Sequence, residues 1–293
     1  MLCDPDWVAA HLDDPGVVIV DMRWDEAGTG RSRYESRHIP GAVYLDWATD
    51  LIDPDNPIAF MLAPPRRFAR VMQRCGIGEE STVVAYTSDL GSGPHRLWWA
   101  FRAYGHDDVR ILDGGLERWV AEGRPLSVGA EVPRAPSGTR WSPHQDGSSS
   151  TATAADVTAA RHRPHGSVLD SRWPEQFRGE AVWFETGPVA DPAGIARTPR
   201  GDLRAGRVPW ATNLPSFDLY GPEGRMRPAD ELRALFASVG VPRSGQVIAY
   251  CGVGISASAL VFALTLAGIQ DARLYDASWE EWGRDLARPI ARG

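Results

Sequence analysis

Cysteine is scarce: the 293 residues hold three, at positions 3, 75 and 251. The count is odd and none are spaced Cys-x-x-Cys, so neither a disulfide scaffold nor a zinc knuckle is expected. Long hydrophobic runs are missing too. No stretch approaches the roughly 20 consecutive apolar residues that a spanning helix needs, which excludes an integral membrane protein built on helices. The opening Met1-Leu2-Cys3-Asp4-Pro5-Asp6 has no basic start and no apolar core, so no secretory signal is expected. Positive charge is in deficit, with 31 Lys and Arg against 38 Asp and Glu for a formal −7. A nucleic-acid backbone demands clustered positive charge and is set aside as a partner. What is present is a globular balance, 43% hydrophobic and 24% charged. The expectation is a cytoplasmic α/β protein of about two domains.

The chain repeats itself. Val18-Ile19-Val20-Asp21-Met22-Arg23-Trp24 matches Ser167-Val168-Leu169-Asp170-Ser171-Arg172-Trp173, and Thr82-Val83-Val84-Ala85-Tyr86-Thr87 matches Gln246-Val247-Ile248-Ala249-Tyr250-Cys251. Gly105 to Asp113 likewise matches Gly268 to Asp276. Three matches in the same order imply a tandem duplication, with an insertion near 181–204 in the second copy. The expected division is a first domain over 1–124, a Pro/Ser/Gly-rich linker over 125–153 and a second domain over 154–293. Each half alternates β-branched runs with helical stretches, the pattern of a mainly parallel sheet flanked by helices on both faces. Strands are expected at Val17–Val20, Thr82–Tyr86 and Val109–Leu112, and at Val168–Asp170, Val247–Tyr250 and Ala272–Tyr275. Helices are expected at Phe68–Cys75, His95–Tyr104, Ala229–Val239 and Ser256–Ala267.

One place carries chemistry. Cys251 ends an apolar strand and is followed by Gly252-Val253-Gly254-Ile255-Ser256-Ala257, then by an apolar helix. A strand-to-helix turn at the carboxyl edge of a parallel sheet is where open α/β folds place their sites. Successive amides and the helix N-terminus make an electropositive cup there. A cysteine in such a cup is expected to have a lowered pKa and to supply a nucleophilic thiolate. A buried structural cysteine is the competing reading. Cys3, in a frayed terminus, and Cys75, a packing residue at a helix end, lack these surroundings.

The Cys-Gly-Val-Gly-Ile-Ser-Ala loop resembles the active loop of the rhodanese superfamily, in particular its tandem-domain thiosulfate and 3-mercaptopyruvate sulfurtransferases. The resemblance extends through Arg37-His38-Ile39-Pro40-Gly41-Ala42, Trp98 to His106, Leu112 to Trp119, Leu169-Asp170-Ser171-Arg172 and Trp279-Glu280-Glu281-Trp282-Gly283. It implies two tandem rhodanese-like domains, the first lacking the nucleophile; Thr87 indeed stands where Cys251 does in the second. It further implies a two-step reaction with no metal or organic cofactor. The Cys251 thiolate takes sulfur from a small-molecule donor, and a thiol, cyanide or protein acceptor removes it from the resulting persulfide. Gly252, Val253, Gly254, Ile255, Ser256 and Ala257 would cradle that persulfide.

Several positions depart from the family pattern. Val253 stands where the mercaptopyruvate type usually has Ser or Thr, and Gln176 replaces an arginine before Phe177-Arg178-Gly179. Arg178 could substitute for that arginine. Arg207 could add positive charge near the site or lie exposed on the insertion. Arg172 could bind an anionic donor or pair with a carboxylate, and His38 is read as a satisfied structural histidine. The uncharged loop tilts the donor toward 3-mercaptopyruvate over thiosulfate. Trp24, Trp173, Trp119 and Trp282 are expected to pack in the core, while Trp183 and Trp210 in the insertion could line an acceptor site. Two other classes compete. A cysteine phosphatase needs an arginine six positions after the cysteine to grip phosphate, and Ala257 is there instead. A non-catalytic binding or regulatory module would retain the fold without the reaction.

Overall fold

A computed structural model describes residues 1–133, 140–144, 148–182, 189, 191 and 193–293. The chain forms two compact units: residues 1–55, 62–149 and 220–226 make the first, and residues 56–61, 150–219 and 227–293 the second. Among the described residues, no helix is long and apolar enough to cross a membrane.

The first unit is built on strands β1 (Leu2–Cys3), β2 (Val17–Asp21), β3 (Val43–Tyr44), β4 (Thr82–Tyr86) and β5 (Val109–Leu112), all parallel, in the order β1-β5-β4-β2-β3. Val83 to Tyr86 in the central β4 are fully buried, as a parallel strand covered by helices on both faces must be. The helix Pro65–Arg74 begins on proline, whose fixed φ suits the first helical position, and ends before Gly76 at φ +77°. It buries Phe68, Val71 and Met72. The segment read as a linker packs here where it is described. Ser127 exchanges backbone hydrogen bonds with His38, and Trp141 is buried against Phe68 and Phe101. Cys3 is not frayed: β1 pairs with β5 and leaves it 8% exposed.

The second unit repeats the plan. Strands β6 (Thr151–Ala152), β7 (Val168–Asp170), β10 (Thr212–Asn213), β11 (Val247–Tyr250) and β12 (Ala272–Tyr275) form a parallel sheet in the order β10-β7-β11-β12-β6. Read from the other edge, this is the order of the first sheet. The insertion adds an antiparallel hairpin, β8 (Ile195–Thr198) with β9 (Gly201–Arg204), which the sequence reading did not anticipate. The two-residue edge strands also escaped it, being too short to show a period. Trp119 and Trp282 are fully buried as expected, whereas Trp24 and Trp173 are 37% and 49% exposed and rest on Trp47 and Phe217.

Candidate active site

The sequence fixes the position of Cys251 through the elements on either side of it. β11 is buried along its whole length, and the helix Ser256–Leu266 is uncharged and buried from Ala257 to Leu264. A helix apolar on every face has only the interior to go to, so its N-terminus is held against the sheet edge. Five residues, 251–255, bridge the two elements, with Gly254 at φ +78° supplying a left-handed turn that a Cβ would oppose. Cys251 is 3% exposed.

The loop is anchored from behind by the start of the next helix, Ser278–Trp282. The Cys251 amide donates to Ser278 Oγ at 3.1 Å, and Ser278 Oγ donates to the Tyr275 carbonyl at 2.8 Å. The Trp279 and Glu280 amides donate to the Cys251 and Gly252 carbonyls, each at 3.0 Å. These bonds use the Cys251 amide and the Cys251 and Gly252 carbonyls. Among the described residues, no acceptor meets the amides of Gly252, Val253, Ile255, Ser256 and Ala257. Unpaired amides gathered at a helix N-terminus favour negative charge beside them. Ser256 Oγ lies 2.9 Å from Ser171 Oγ, and the Ser171 amide donates to the Tyr250 carbonyl. Ser278 and Ser171 were not singled out from the sequence. Ser278 had a signal: in the repeat it stands where the first copy has Gly115, and both adopt positive φ, +50° and +57°.

The other two thiols are unlike Cys251 in their surroundings. Burial pushes both Cys3 and Cys75 up to about 12, so each is a neutral thiol at pH 7. Cys75 caps its helix and is 3% exposed, as its packing role requires.

The arginines divide. Arg172 is buried in a bidentate ion pair with Asp170 (2.9 and 2.6 Å), and its Nη2 also donates to the Gly206 carbonyl. The first unit has the same pair: Arg23 grips Asp21 and donates to the Arg37 carbonyl. The pair is therefore common to both units, and it is the carboxylate contact that the structure shows for Arg172. Its guanidinium stacks 4.5 Å over Trp279, whose amide holds Cys251, which makes it a neighbour of the loop's anchor. Arg178 is half-exposed and pairs with Glu180 and Glu175. Arg207 donates to the Gly293 and Phe177 carbonyls and stacks on Phe177. Neither is brought to the loop by these contacts. Gln176 caps its own helix by accepting from the Trp173 amide and donates to the Val182 carbonyl, so its polar atoms are spent locally. Trp210 is partly buried, packs against Trp282 at the edge of the core and donates to the Val157 carbonyl; Trp183 lies outside the described residues. His38 is fully buried, stacked on Tyr34 and bonded to the Tyr34 carbonyl, a satisfied structural histidine.

Positive charge reaches the loop's anchor from an unexpected quarter. Glu280, 3% exposed, receives Arg200 from the β8–β9 turn and Arg284 from the chain following the helix, each at 2.9 Å. Two guanidiniums on one carboxylate leave a local surplus of positive charge. The insertion hid Arg200 from the repeat comparison, because the first copy has no counterpart.

The rhodanese-like domain model matches residues 4–122 and again 153–285. This chain belongs to the rhodanese family. Relatives of the whole rhodanese chain agree. The sulfur carrier protein TtuD of Thermus thermophilus is 35% identical over all of this chain and 97% of its own length. The Escherichia coli 3-mercaptopyruvate sulfurtransferase is 32% identical over 97% of this chain and 95% of its own. The crystal structure of SseA from Escherichia coli, a rhodanese fold of the 3-mercaptopyruvate class, superposes with a TM-score of 0.77 at 31% identity, covering 95% of this chain and 98% of that one. The activity class of this rhodanese is sulfur transfer.

Proposed function

We propose that Cys251 is the sulfur carrier and that 3-mercaptopyruvate is the preferred donor, with thiosulfate second. The thiolate attacks the sulfur to be transferred, the thiol sulfur of 3-mercaptopyruvate (leaving the pyruvate enolate, which takes up a proton) or the outer sulfur of thiosulfate (leaving sulfite). A new S–S bond forms as the donor's bond to that sulfur breaks, its electron pair leaving with the donor remnant. The acceptor, a thiol, cyanide or a protein thiol, then attacks the terminal sulfur and the Cys251 thiolate departs. No net oxidation of the protein occurs and no cofactor enters. The observation that carries the reading is the set of amides, at Gly252, Val253, Ile255, Ser256 and Ala257, that meet no acceptor among the described residues. Such amides stabilise the negative charge that the sulfur holds before attack and regains on release. The absence of any Lys or Arg between Cys251 and Arg273 supports a mono-anionic donor over a dianion. With all three cysteines free, we place the reaction in the reducing cytoplasm.

Intact mass after incubation with each donor tests this, on the wild type and on Cys251→Ser. A gain of one sulfur atom confined to the protein with Cys251, and faster with 3-mercaptopyruvate, is the expected result. No gain with either donor would move the chain to the binding-module reading.

A further inference from the structure

The first unit lost the nucleophile but not the hollow. At the carboxyl edge of its sheet, where Thr87 stands in the place of a cysteine, lies a cavity of about 590 Å³. Every residue lining it belongs to the first unit. That volume falls within the range of small-molecule sites, and the sheet edge is where α/β folds put them.

The electrostatic preference of this hollow is reversed relative to the Cys251 loop. In the second unit, the amides of Gly252, Val253, Ile255, Ser256 and Ala257 meet no acceptor among the described residues. In the first, the amide of Asp89 donates to Glu117 Oε1 at 3.1 Å, so a carboxylate of the protein itself sits where an anion would bind. Glu117 is the repeat counterpart of Glu280, which turns to Arg200 and Arg284 instead. The wall carries five carboxylates, Asp89, Asp113, Glu117, Glu122 and Glu223, against the single guanidinium of Arg118. Arg33 neutralises Asp89, Arg225 neutralises Asp113, and Arg118 with Arg124 neutralises Glu122. Among the described residues, Glu117 and Glu223 have no cation within ion-pair distance. His95, also on the wall, is pushed down to about 3 by burial and adds no positive charge at neutral pH.

Two further features belong to a site. Leu2, Leu90, Ile111 and Met226 give the hollow an apolar wall, and the Tyr220 ring offers an aromatic surface. The buried Tyr220 hydroxyl has no hydrogen-bond partner among the described residues. The rim is also strained: Asp89, Leu90 and Glu223 are non-glycine residues at φ +57°, +56° and +61°. Conformations of that kind cluster at ligand sites, where surrounding structure holds them.

We propose that this cavity binds a small organic ammonium ion with an apolar body, and rejects anions of the same shape. An amine lays its hydrocarbon against the apolar wall and its N–H groups toward Glu117 and Glu223. The proposal does not depend on which donor Cys251 uses.

The test titrates the full-length protein with benzylammonium and, as the shape-matched anion, benzoate, followed by ligand-observed NMR. The expected result is that benzylammonium binds in the millimolar range or tighter, and about tenfold or more tighter than benzoate. Glu117→Gln and Glu223→Gln should each weaken it by about threefold or more, and Ala121→Trp, which fills the cavity from an exposed position on its wall, should abolish it. Thermal unfolding checks that each variant is folded. Benzoate binding within a factor of about three of benzylammonium, no binding of either probe at about 10 mM, or undiminished binding to a folded Ala121→Trp would each overturn the proposal.

Discussion

Replacing Ser278 by alanine is a direct probe of how the Cys251 loop is held. The hydroxyl accepts from the Cys251 amide and donates to the Tyr275 carbonyl, both in the buried interior. Two such neutral bonds contribute about 1 kcal/mol each, and stranding a buried amide adds about 1–2 more, so Ser278→Ala should cost about 3–4 kcal/mol. The backbone decides a second comparison. Ser278 sits at φ +50°, where a Cβ costs roughly 1 kcal/mol and glycine costs nothing. Ser278→Gly loses the same hydrogen bonds but recovers that strain, so it should be the more stable variant by about 1 kcal/mol, the reverse of the usual helix ranking. Urea unfolding gives the two values, and hydrogen exchange at the Cys251 amide localises the loss. Persulfide loading should slow about tenfold in both variants, equivalent to about 1.4 kcal/mol in the barrier. If alanine proves as stable as the wild type, or glycine proves worse than alanine, the anchoring argument is wrong.

Other consequences can be measured just as directly. Iodoacetamide at pH 7 should modify Cys251 well before Cys3 or Cys75, since burial holds those two thiols neutral until about pH 12; peptide mapping showing equal rates would count against the assignment. The same burial gives a pH dependence. Folded Cys75 keeps its proton to higher pH than it does unfolded, so its contribution is fully present below about pH 9 and is lost as pH rises toward about 12. A Cys75→Ala variant should lose stability less steeply across that window, and an unchanged slope would refute the sign. Arg172→Gln and Arg23→Gln should each cost about 3–5 kcal/mol, because each strands a buried carboxylate. A fully stable Arg172→Gln with a raised donor KM would return Arg172 to donor binding. Arg178→Ala, whose ion pairs are exposed, should shift stability by less than about 1 kcal/mol and leave the donor KM unchanged.

How much of this was legible beforehand follows from which forces act locally. The six strands read from β-branched runs are present because such runs, buried on both faces, leave an unbroken apolar signature. Cys251 and its loop were legible because strand, glycine turn and apolar helix are contiguous in sequence. The edge strands Leu2–Cys3 and Val43–Tyr44 were not, since two residues set no period and their pairing partners are distant. Arg172 had two readings in the sequence; its grip on Asp170 is local, and the Arg23–Asp21 pair matches it in the first unit. Arg200 escaped notice because its partner, Glu280, is 80 residues away and the hairpin that presents it has no repeat counterpart.

Glu117 has a consequence for anyone wishing to revive the dormant half. Exchanging Thr87 for cysteine restores an atom but not a reactive centre. The socket beside it is already plugged by a tethered carboxylate, whose like charge would discourage a sulfur anion from forming. Awakening that copy therefore demands at least a paired exchange that also withdraws the plug. Decay of an enzyme's twin, on this view, proceeds by occupation as well as by deletion.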